Sequence, residues 1–453
     1  MGRLFGTDGV RGLANSELTP ELAFKLGFAA GYILKRPEGR SSIIVGKDSR
    51  ISGSMLESAL MAGICSSGVD VLRTGIVPTP AIAYLARTLD TCAGAVISAS
   101  HNPAPDNGIK FFNHQGYKLD DSIEDKIEEI VNCDITALKR PVGSKLGRII
   151  TLRDAEDRYI AFLQSTVRAD FSGLRIVIDC ANGAAYNIAP RLFRHFGAQV
   201  ISLHDQPDGM NINQDCGSTH PKSLQEMVVR HNADLGLAFD GDADRVIAVD
   251  ECGNIINGDQ IMVVCALALH QQQALDNMIV VTVMSNLGLK LAFLASGITV
   301  YETKVGDRYV LEKMLETGAV LGGEQSGHII FRKYATTGDG LLTALQLLQV
   351  VKETGRKLSD LAGQMCNLPQ KLVNIKVHNK NCWEQNPKIA AVLLKGEKAL
   401  QGRGRLFVRA SGTEPLIRVM AEGPNEGELD KIIEEVAEII RNELLEETAV
   451  EQQ

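Results

Sequence analysis

The sequence predicts an α/β protein: three consecutive α/β domains with mixed or parallel sheets, then a smaller α+β domain at the carboxyl end, all set around a central cleft. Three observations carry this. The chain has 453 residues, well above the roughly 100 to 200 of one domain, so about three or four cores are expected, with clefts between them. Short β-branched runs alternate with longer helix-like segments along most of the length, as when strands feed crossover helices onto a largely parallel sheet. After Leu368-Pro369 the alternation gives way to fewer, more widely spaced elements.

In the first domain, residues 1–150, the pattern predicts a strand over 43–45, a helix over 52–67, and strands over 69–72 and 93–97. The last strand runs straight into Ser98-Ala-Ser-His, so Ser100 falls just beyond a strand's carboxyl end, where ligands of open α/β sheets collect. The stretch Pro141-Val-Gly-Ser-Lys-Leu-Gly-Arg leads into the second domain, 151–255, with strands expected over 176–178, 200–203, 235–239 and 246–249. Between the last two lies Asp240-Gly-Asp-Ala-Asp. The third domain, 256–368, is expected to hold strands over 279–282 and 298–301, the turn Gly322-Gly-Glu-Gln-Ser-Gly-His, and a helix over 338–353. The fourth, 369–453, reads as strands over 373–377, 405–408 and 417–422 and a closing helix from Glu426, with Arg409-Ala-Ser-Gly-Thr-Glu-Pro as an interstrand loop. No short-period repeat is present, although the three α/β units have the character of related copies.

The composition narrows the function classes. A charged fraction of 23% and a hydrophobic fraction of 45% are those of an ordinary globular chain. The start lacks an apolar secretory core, and no run reaches the roughly 18 apolar residues of a membrane span, so a cytoplasmic protein without a membrane partner is expected. The nine cysteines include no C-x-x-C pair and read as buried free thiols rather than bridges or zinc ligands. A net charge of -8 speaks against nucleic acid as a partner. An anionic substrate must then be captured by local Arg and Lys.

Four constellations carry chemistry. Asp240, Asp242 and Asp244 fall at alternate positions, which in an extended segment face one side and converge three hard oxygen ligands on one cation, magnesium being the natural occupant. Arg245 stands where an EF-hand would need its turn glycine, which excludes that motif. Taken alone, a solvated acidic turn explains the trio as well. In Ser98-Ala-Ser-His-Asn-Pro-Ala-Pro-Asp-Asn-Gly-Ile-Lys, Ser100 could be a nucleophile or phosphate carrier beside His101 and Lys110, or an ordinary turn hydroxyl. No G-x-S-x-G elbow frames it as a hydrolase serine. Glu324, Ser326 and His328 in the glycine-bounded turn have the donors and acceptors to read vicinal sugar hydroxyls, or form a tight turn only. Arg409, Ser411, Gly412, Thr413 and Arg418 suit a phosphate clamp, or a hairpin turn. Two further clusters, Gly6-Thr-Asp-Gly-Val-Arg-Gly and Gly46-Lys-Asp-Ser-Arg-Ile-Ser-Gly, could be glycine turns or walls of the same cleft. The decisive point is their combination, since independent turns would rarely assemble a hydroxyl carrier, a carboxylate trio, a polyol reader and a phosphate clamp.

At these residues the chain resembles the α-D-phosphohexomutase superfamily over essentially its whole length. Phe5-Gly-Thr-Asp-Gly-Val-Arg-Gly, Ile97-Ser-Ala-Ser-His-Asn-Pro, Asp240-Gly-Asp-Ala-Asp-Arg, Gly323-Glu-Gln-Ser-Gly-His and Ser411-Gly-Thr-Glu-Pro-Leu-Ile-Arg-Val-Met occur in the family's order. The resemblance implies four domains around a cleft, a phosphoserine at Ser100, and one magnesium per chain held by that phosphate with Asp240, Asp242 and Asp244. It implies sugar reading by Glu324 and Ser326 and grip on the non-transferring phosphate by Arg409, Ser411, Gly412, Thr413 and Arg418. Arg245 would stabilise the transferring group, and His101, Lys110 and Arg11 are the candidates for proton transfer. The phosphate loop and Gln325 point to the branch that interconverts glucosamine 6-phosphate and glucosamine 1-phosphate through glucosamine 1,6-bisphosphate, which feeds UDP-N-acetylglucosamine synthesis for the cell wall. The alternatives are a phosphomannomutase/phosphoglucomutase, a catalytically silent sugar-phosphate regulator and a metal-dependent phosphatase. A small-molecule hexosamine phosphate is the expected partner; an oligomer, a homodimer first among them, is allowed but not specified.

Overall fold

The computed structural model describes residues 3–6, 8–378, 383–400, 402–410 and 416–444. Ser411, Gly412 and Thr413 of the expected clamp lie outside them. The chain forms two compact units, one made of the residues up to Met284 with Gly297–Gln364, the other of Ser285–Ser296 with the residues from Met365 onward. The first unit contains three mixed sheets covered by helices and the second a three-stranded antiparallel sheet, which is the predicted fold class.

One plan recurs in the three mixed sheets. In the first, Ala93–Ile97 pairs in parallel with Ser42–Lys47 on one side and antiparallel with Asp106–Asn113 on the other. In the second, Leu235–Phe239 lies in the same way between Arg175–Asp179 and Val246–Asp250. In the third, Leu321–Gly323 lies between Met278–Thr282 and Ile329–Phe331. Each time the chain leaves a parallel strand, makes one turn at its carboxyl end and returns antiparallel. Those three turns carry Ser100, the Asp240 to Asp244 trio, and Glu324 to His328. Ala93–Ile97 and Leu235–Phe239 are buried along their whole length, as apolar runs covered on both faces must be.

Three of the elements that the sequence pattern did not mark lie in the first domain beside the serine turn or its sheet. The strand Val10–Leu13 closes the first sheet at Asp106–Asn113 and brings Arg11 to it, but its Val-Arg-Gly-Leu is too short to display a period. The helix Pro20–Leu34 starts with a Thr19 cap and Pro20 at its first position. The strand Asp106–Asn113 begins in polar Asp-Asn-Gly and shows its apolar character only later. In the second unit the strand Arg405–Ala410 extends two residues beyond the expected 408, so Arg409 lies on a strand rather than in a loop. The helix Leu287–Ala295 belongs to this unit: Leu287 N donates to Glu422 Oε1 at 2.9 Å, and Arg405 donates to both the Ser285 carbonyl and Glu422. Eight cysteines are described and all are free; four are buried, but Cys133, Cys252 and Cys366 are exposed, against the expectation of burial. No helix among the described residues is long and apolar enough to cross a membrane.

Glu124, in the first turn of the helix Asp121–Asn132, tests the packing of the first domain. Burial pushes its pKa up to about 7 in spite of the nearby Arg3. The folded state therefore binds a proton more tightly than the unfolded chain, so this stability is present below the ordinary glutamate range and is lost as pH rises towards about 7. Glu124→Gln is expected to raise the melting temperature at pH 8 and leave it nearly unchanged at pH 4; equal shifts at both would refute this.

Candidate functional site

Ser100 is 1% exposed and holds φ 51, a left-handed conformation that a residue with a side chain adopts only under constraint. The constraint comes from its neighbours. Ser98 Oγ accepts the Ser100 N–H at 2.9 Å and donates to Asp48 Oδ2 at 2.7 Å. Asp48 pairs with Arg50 at 2.9 Å, with both side chains 0% exposed. The Arg50 guanidinium donates to the Ser100, Asn102, Pro103 and Asp106 carbonyls. Asn213 Nδ2 donates to the Ser100 and Asn102 carbonyls, each at 2.9 Å. Asp48 and Arg50 come from the glycine-bounded cluster that sequence reading left without a role. Asn213 carried no motif at all, and only the fold could reveal it.

This frame aims the Ser100 hydroxyl at the carboxylates, Oγ lying 2.5 Å from Asp240 Oδ2. One oxygen from each of Asp240, Asp242 and Asp244 lies within 4.8 Å of the others, and all three residues are buried. Thr79, opening the helix Thr79–Thr88, locks the turn by donating its N–H to the Asp242 carbonyl at 2.9 Å and its hydroxyl to Asp242 Oδ2 at 2.7 Å. Asp242 Oδ1 and Asp244 Oδ1 are buried without a hydrogen-bond partner. Burial and the neighbouring Asp244 and Asp242 hold the Asp240 carboxyl well above the usual carboxylate range. Three converging carboxylates with unpaired buried oxygens fit a hard cation, and the residues suit a metal ion with oxygen ligands.

Gly241 sits between the two motifs. A Cβ there would meet the Ser100 carbonyl at 2.6 Å and Asn213 Nδ2 at 2.8 Å. Gly241→Ala is expected to push the serine turn off the carboxylates, cost about 1–3 kcal/mol of stability and lower turnover far more than substrate affinity. Unfolding curves and steady-state kinetics read both, and an unchanged turnover number would contradict the packing.

A chain of alternating charges links this centre to the third domain. Lys110, 2% exposed, lies 3.1 Å from Asp242 and 2.9 Å from Asp8. Asp8 also pairs with Arg11 and Lys118, and Lys118 reaches Asp307. His328 Nε2 stands 3.5 Å from Asp307. Burial opposes the Lys110 charge, but Asp242, Asp8 and Asp244 outweigh it and raise its pKa. Its placement among carboxylates suits charge balance rather than proton transfer. His101 Nδ1 is 3.4 Å from Ser100 Oγ, and burial, helped by Arg245 and Arg11, lowers its pKa to about 4. A neutral imidazole there can accept a proton. Arg245 Nε lies 3.7 Å from Asp244.

Glu324 Oε1 accepts the Gly306 N–H at 3.0 Å, and Ser326 Oγ stands 3.4 Å from Oε2, so the sugar-reading candidates are together. His328 lies in the same turn but is 2% exposed and turned towards Asp307. The second unit holds Arg409 and Arg418 directly opposite each other on adjacent strands. Burial and the Arg418 charge lower the Arg409 pKa, a repulsion that a bound anion would relieve. Asp8, Asp48, Arg50, Thr79, Lys118, Asn213 and Asp307 contact the candidate residues but carry no assignment from the sequence.

Four family models match in order: phosphoglucomutase/phosphomannomutase alpha/beta/alpha domains I, II and III, at residues 2–136, 157–253 and 257–368, and the C-terminal domain at 372–439. The chain is 57% identical to the phosphoglucosamine mutase of Pelotomaculum thermopropionicum, over 97% of this chain and 99% of the relative. It is 58% identical to that of Desulforamulus reducens, over 98% and 100%. Among solved structures, a phosphoglucomutase/phosphomannomutase family protein of Burkholderia thailandensis superposes with a TM-score of 0.81 at 25% identity, over 97% of each chain.

Proposed function

Because this chain belongs to the phosphoglucosamine mutase family of the α-D-phosphohexomutase superfamily, we propose that it interconverts glucosamine 6-phosphate and glucosamine 1-phosphate through a phosphorylated Ser100. The observation that carries the reading is the Ser100 hydroxyl, buried, conformationally constrained and 2.5 Å from Asp240 of the carboxylate trio.

In the first transfer, the free sugar hydroxyl attacks the phosphoryl group on Ser100. A bond forms from the sugar oxygen to phosphorus, the bond to Ser100 Oγ breaks, the hydroxyl proton passes to a base, and Oγ is protonated. The bound 1,6-bisphosphate then turns over, and Ser100 Oγ takes the other phosphoryl group by the reverse of these steps. The same bisphosphate, added in trace, would load an unphosphorylated serine. Asp240, Asp242 and Asp244 with the Ser100 phosphate would hold magnesium, whose charge offsets that of the transferring group. Arg245 adds positive charge at the same place, and Lys110 balances Asp242 and Asp8. Next to Ser100, neutral His101 is the residue placed to move the proton. Glu324 and Ser326 accept and donate hydrogen bonds to the sugar hydroxyls, with His328 turned towards Asp307. Arg11 completes the wall at Asp8. Arg409, Ser411, Gly412, Thr413 and Arg418 grip the distal phosphate in either orientation of the sugar.

We place the domain bounds at 1–150, 151–255, 256–368 and 369–453, and the enzyme in the cytoplasm. The test is a coupled assay with magnesium and a trace of bisphosphate on glucosamine 1-phosphate beside glucose and mannose 1-phosphates. A strong preference for the amino sugar is expected. Preference for a neutral sugar would overturn the substrate, and silence on all three would overturn the reaction.

A further inference from the structure

At the carboxyl edge of the second sheet lies a cluster that the transfer does not use. Asp179 ends the strand Arg175–Asp179, His204 follows the strand Gln199–Leu203, and Cys216 lies in the loop before the helix Lys222–Arg230. A carboxylate oxygen, a ring nitrogen and the thiol sulfur of these residues lie within 4.8 Å of one another. Asp179 and Cys216 are 0% exposed, whereas the His204 side chain keeps 31% at the surface, which gives an ion a way in.

Asp179 is held in place from outside the cluster. Asp179 Oδ1 accepts the Ala181 N–H and Oδ2 the Gly217 N–H, each at 2.9 Å. His204 Nδ1 stands 3.0 Å from Asp179 Oδ1, shielded from solvent, and makes no well-aligned hydrogen bond. The backbone around them is constrained: Ala181, Asn182, His204, Asn213 and Asp215 have φ between 47 and 58, the left-handed region that side chains disfavour. Conformations of this kind persist where the surroundings over-determine them, and they gather at functional sites. An aspartate–histidine pair would account for two members of the cluster. It gives no reason for a buried thiol to converge on the same point.

We propose that Asp179, His204 and Cys216 form a second cation site, separate from the aspartate trio, that takes a thiophilic divalent transition metal of the zinc class with one coordination position left open. Carboxylate, imidazole and thiolate are the donor set of such ions, while magnesium selects oxygen alone. The two sites thus sort two cations by ligand softness. On binding, the thiol gives up its proton and the sulfur becomes a thiolate ligand. The consequence reaches the serine turn, since the Asn213 N–H donates to the Ala181 carbonyl while its side chain holds the Ser100 carbonyl. A metal here would brace the loops that keep Ser100 in place.

The test uses the full chain with excess magnesium filling the carboxylate trio, titrated with cobalt(II) as a spectroscopic stand-in for zinc. One equivalent is expected to give a thiolate-to-cobalt charge-transfer band in the near ultraviolet. Cys216→Ser should lose the band, His204→Gln should weaken cobalt binding at least about tenfold, and Asp240→Asn should keep the band. Absence of the band in the unaltered protein, or its full persistence in Cys216→Ser, would overturn the site. Zinc-edge X-ray absorption on the unaltered protein needs no variant: one sulfur at about 2.3 Å is expected, and a shell of only nitrogen and oxygen would refute the proposal. None of these readouts depends on mutase activity, so they stand apart from the proposed reaction.

Discussion

Replacing Ser100 with alanine is expected to reduce turnover by at least about 10⁴-fold, the scale on which a covalent group is lost from a concerted set. It should also remove the phosphoryl group from the intact protein mass. The fold should survive, because the contacts that hold the turn run through the Ser100 backbone: its N–H to Ser98 and its carbonyl to Arg50 and Asn213. Alanine keeps both backbone groups and loses only the hydroxyl directed at Asp240. Loss of activity with an unchanged unfolding midpoint would assign the effect to the hydroxyl. A Ser100→Ala protein that still turns over above about one part in 10⁴, or still carries phosphate, would refute the phosphoserine.

The second large effect is expected at Arg50. Its five N–H donors all have partners: Nε takes Asp48, and the two Nη groups take the carbonyls of Ser100, Asn102, Pro103 and Asp106. No other side chain offers five donors in a planar fork. Arg50→Met would leave the buried Asp48 without its cation and four carbonyls without this donor. A cost of about 3–5 kcal/mol is expected, as when one partner of a buried pair is removed. Because those carbonyls belong to the serine turn, turnover should also fall about 10²-fold or more at temperatures where the variant is still folded, the scale of an ångström-sized misplacement. Denaturant unfolding and kinetics measured well below the melting point separate the two effects. A folded Arg50→Met protein with the original turnover number would show that Arg50 does not position the nucleophile.

How much of this was legible in the sequence depended on the range of the interaction. The Asp240 trio and the Ser100 turn could be read because spacing along an extended segment fixes which side chains share a face. Local pattern places Arg409 in a loop, whereas cross-strand pairing with Arg418 carries its strand to Ala410. Proximity in sequence groups His328 with Glu324 and Ser326, but the turn directs it to Asp307. The clusters holding Asp8 and Arg50 were visible only as glycine-rich polar turns. Their partners, Lys118 and the serine-turn carbonyls, lie 110 and 50 or more residues away.

By itself, the sequence determined the α/β class and the motif-bearing turns, because periodicity, turn chemistry and ligand spacing are local. Tertiary structure decided that three sheets of one plan each carry a motif-bearing turn at the equivalent place in the sheet. It also decided that Arg50 and Asn213 grip the serine turn, and that Asp179, His204 and Cys216 converge. These depend on strand order and on packing between distant segments, where a buried polar group must find its partner across the fold and no local pattern records which one it finds.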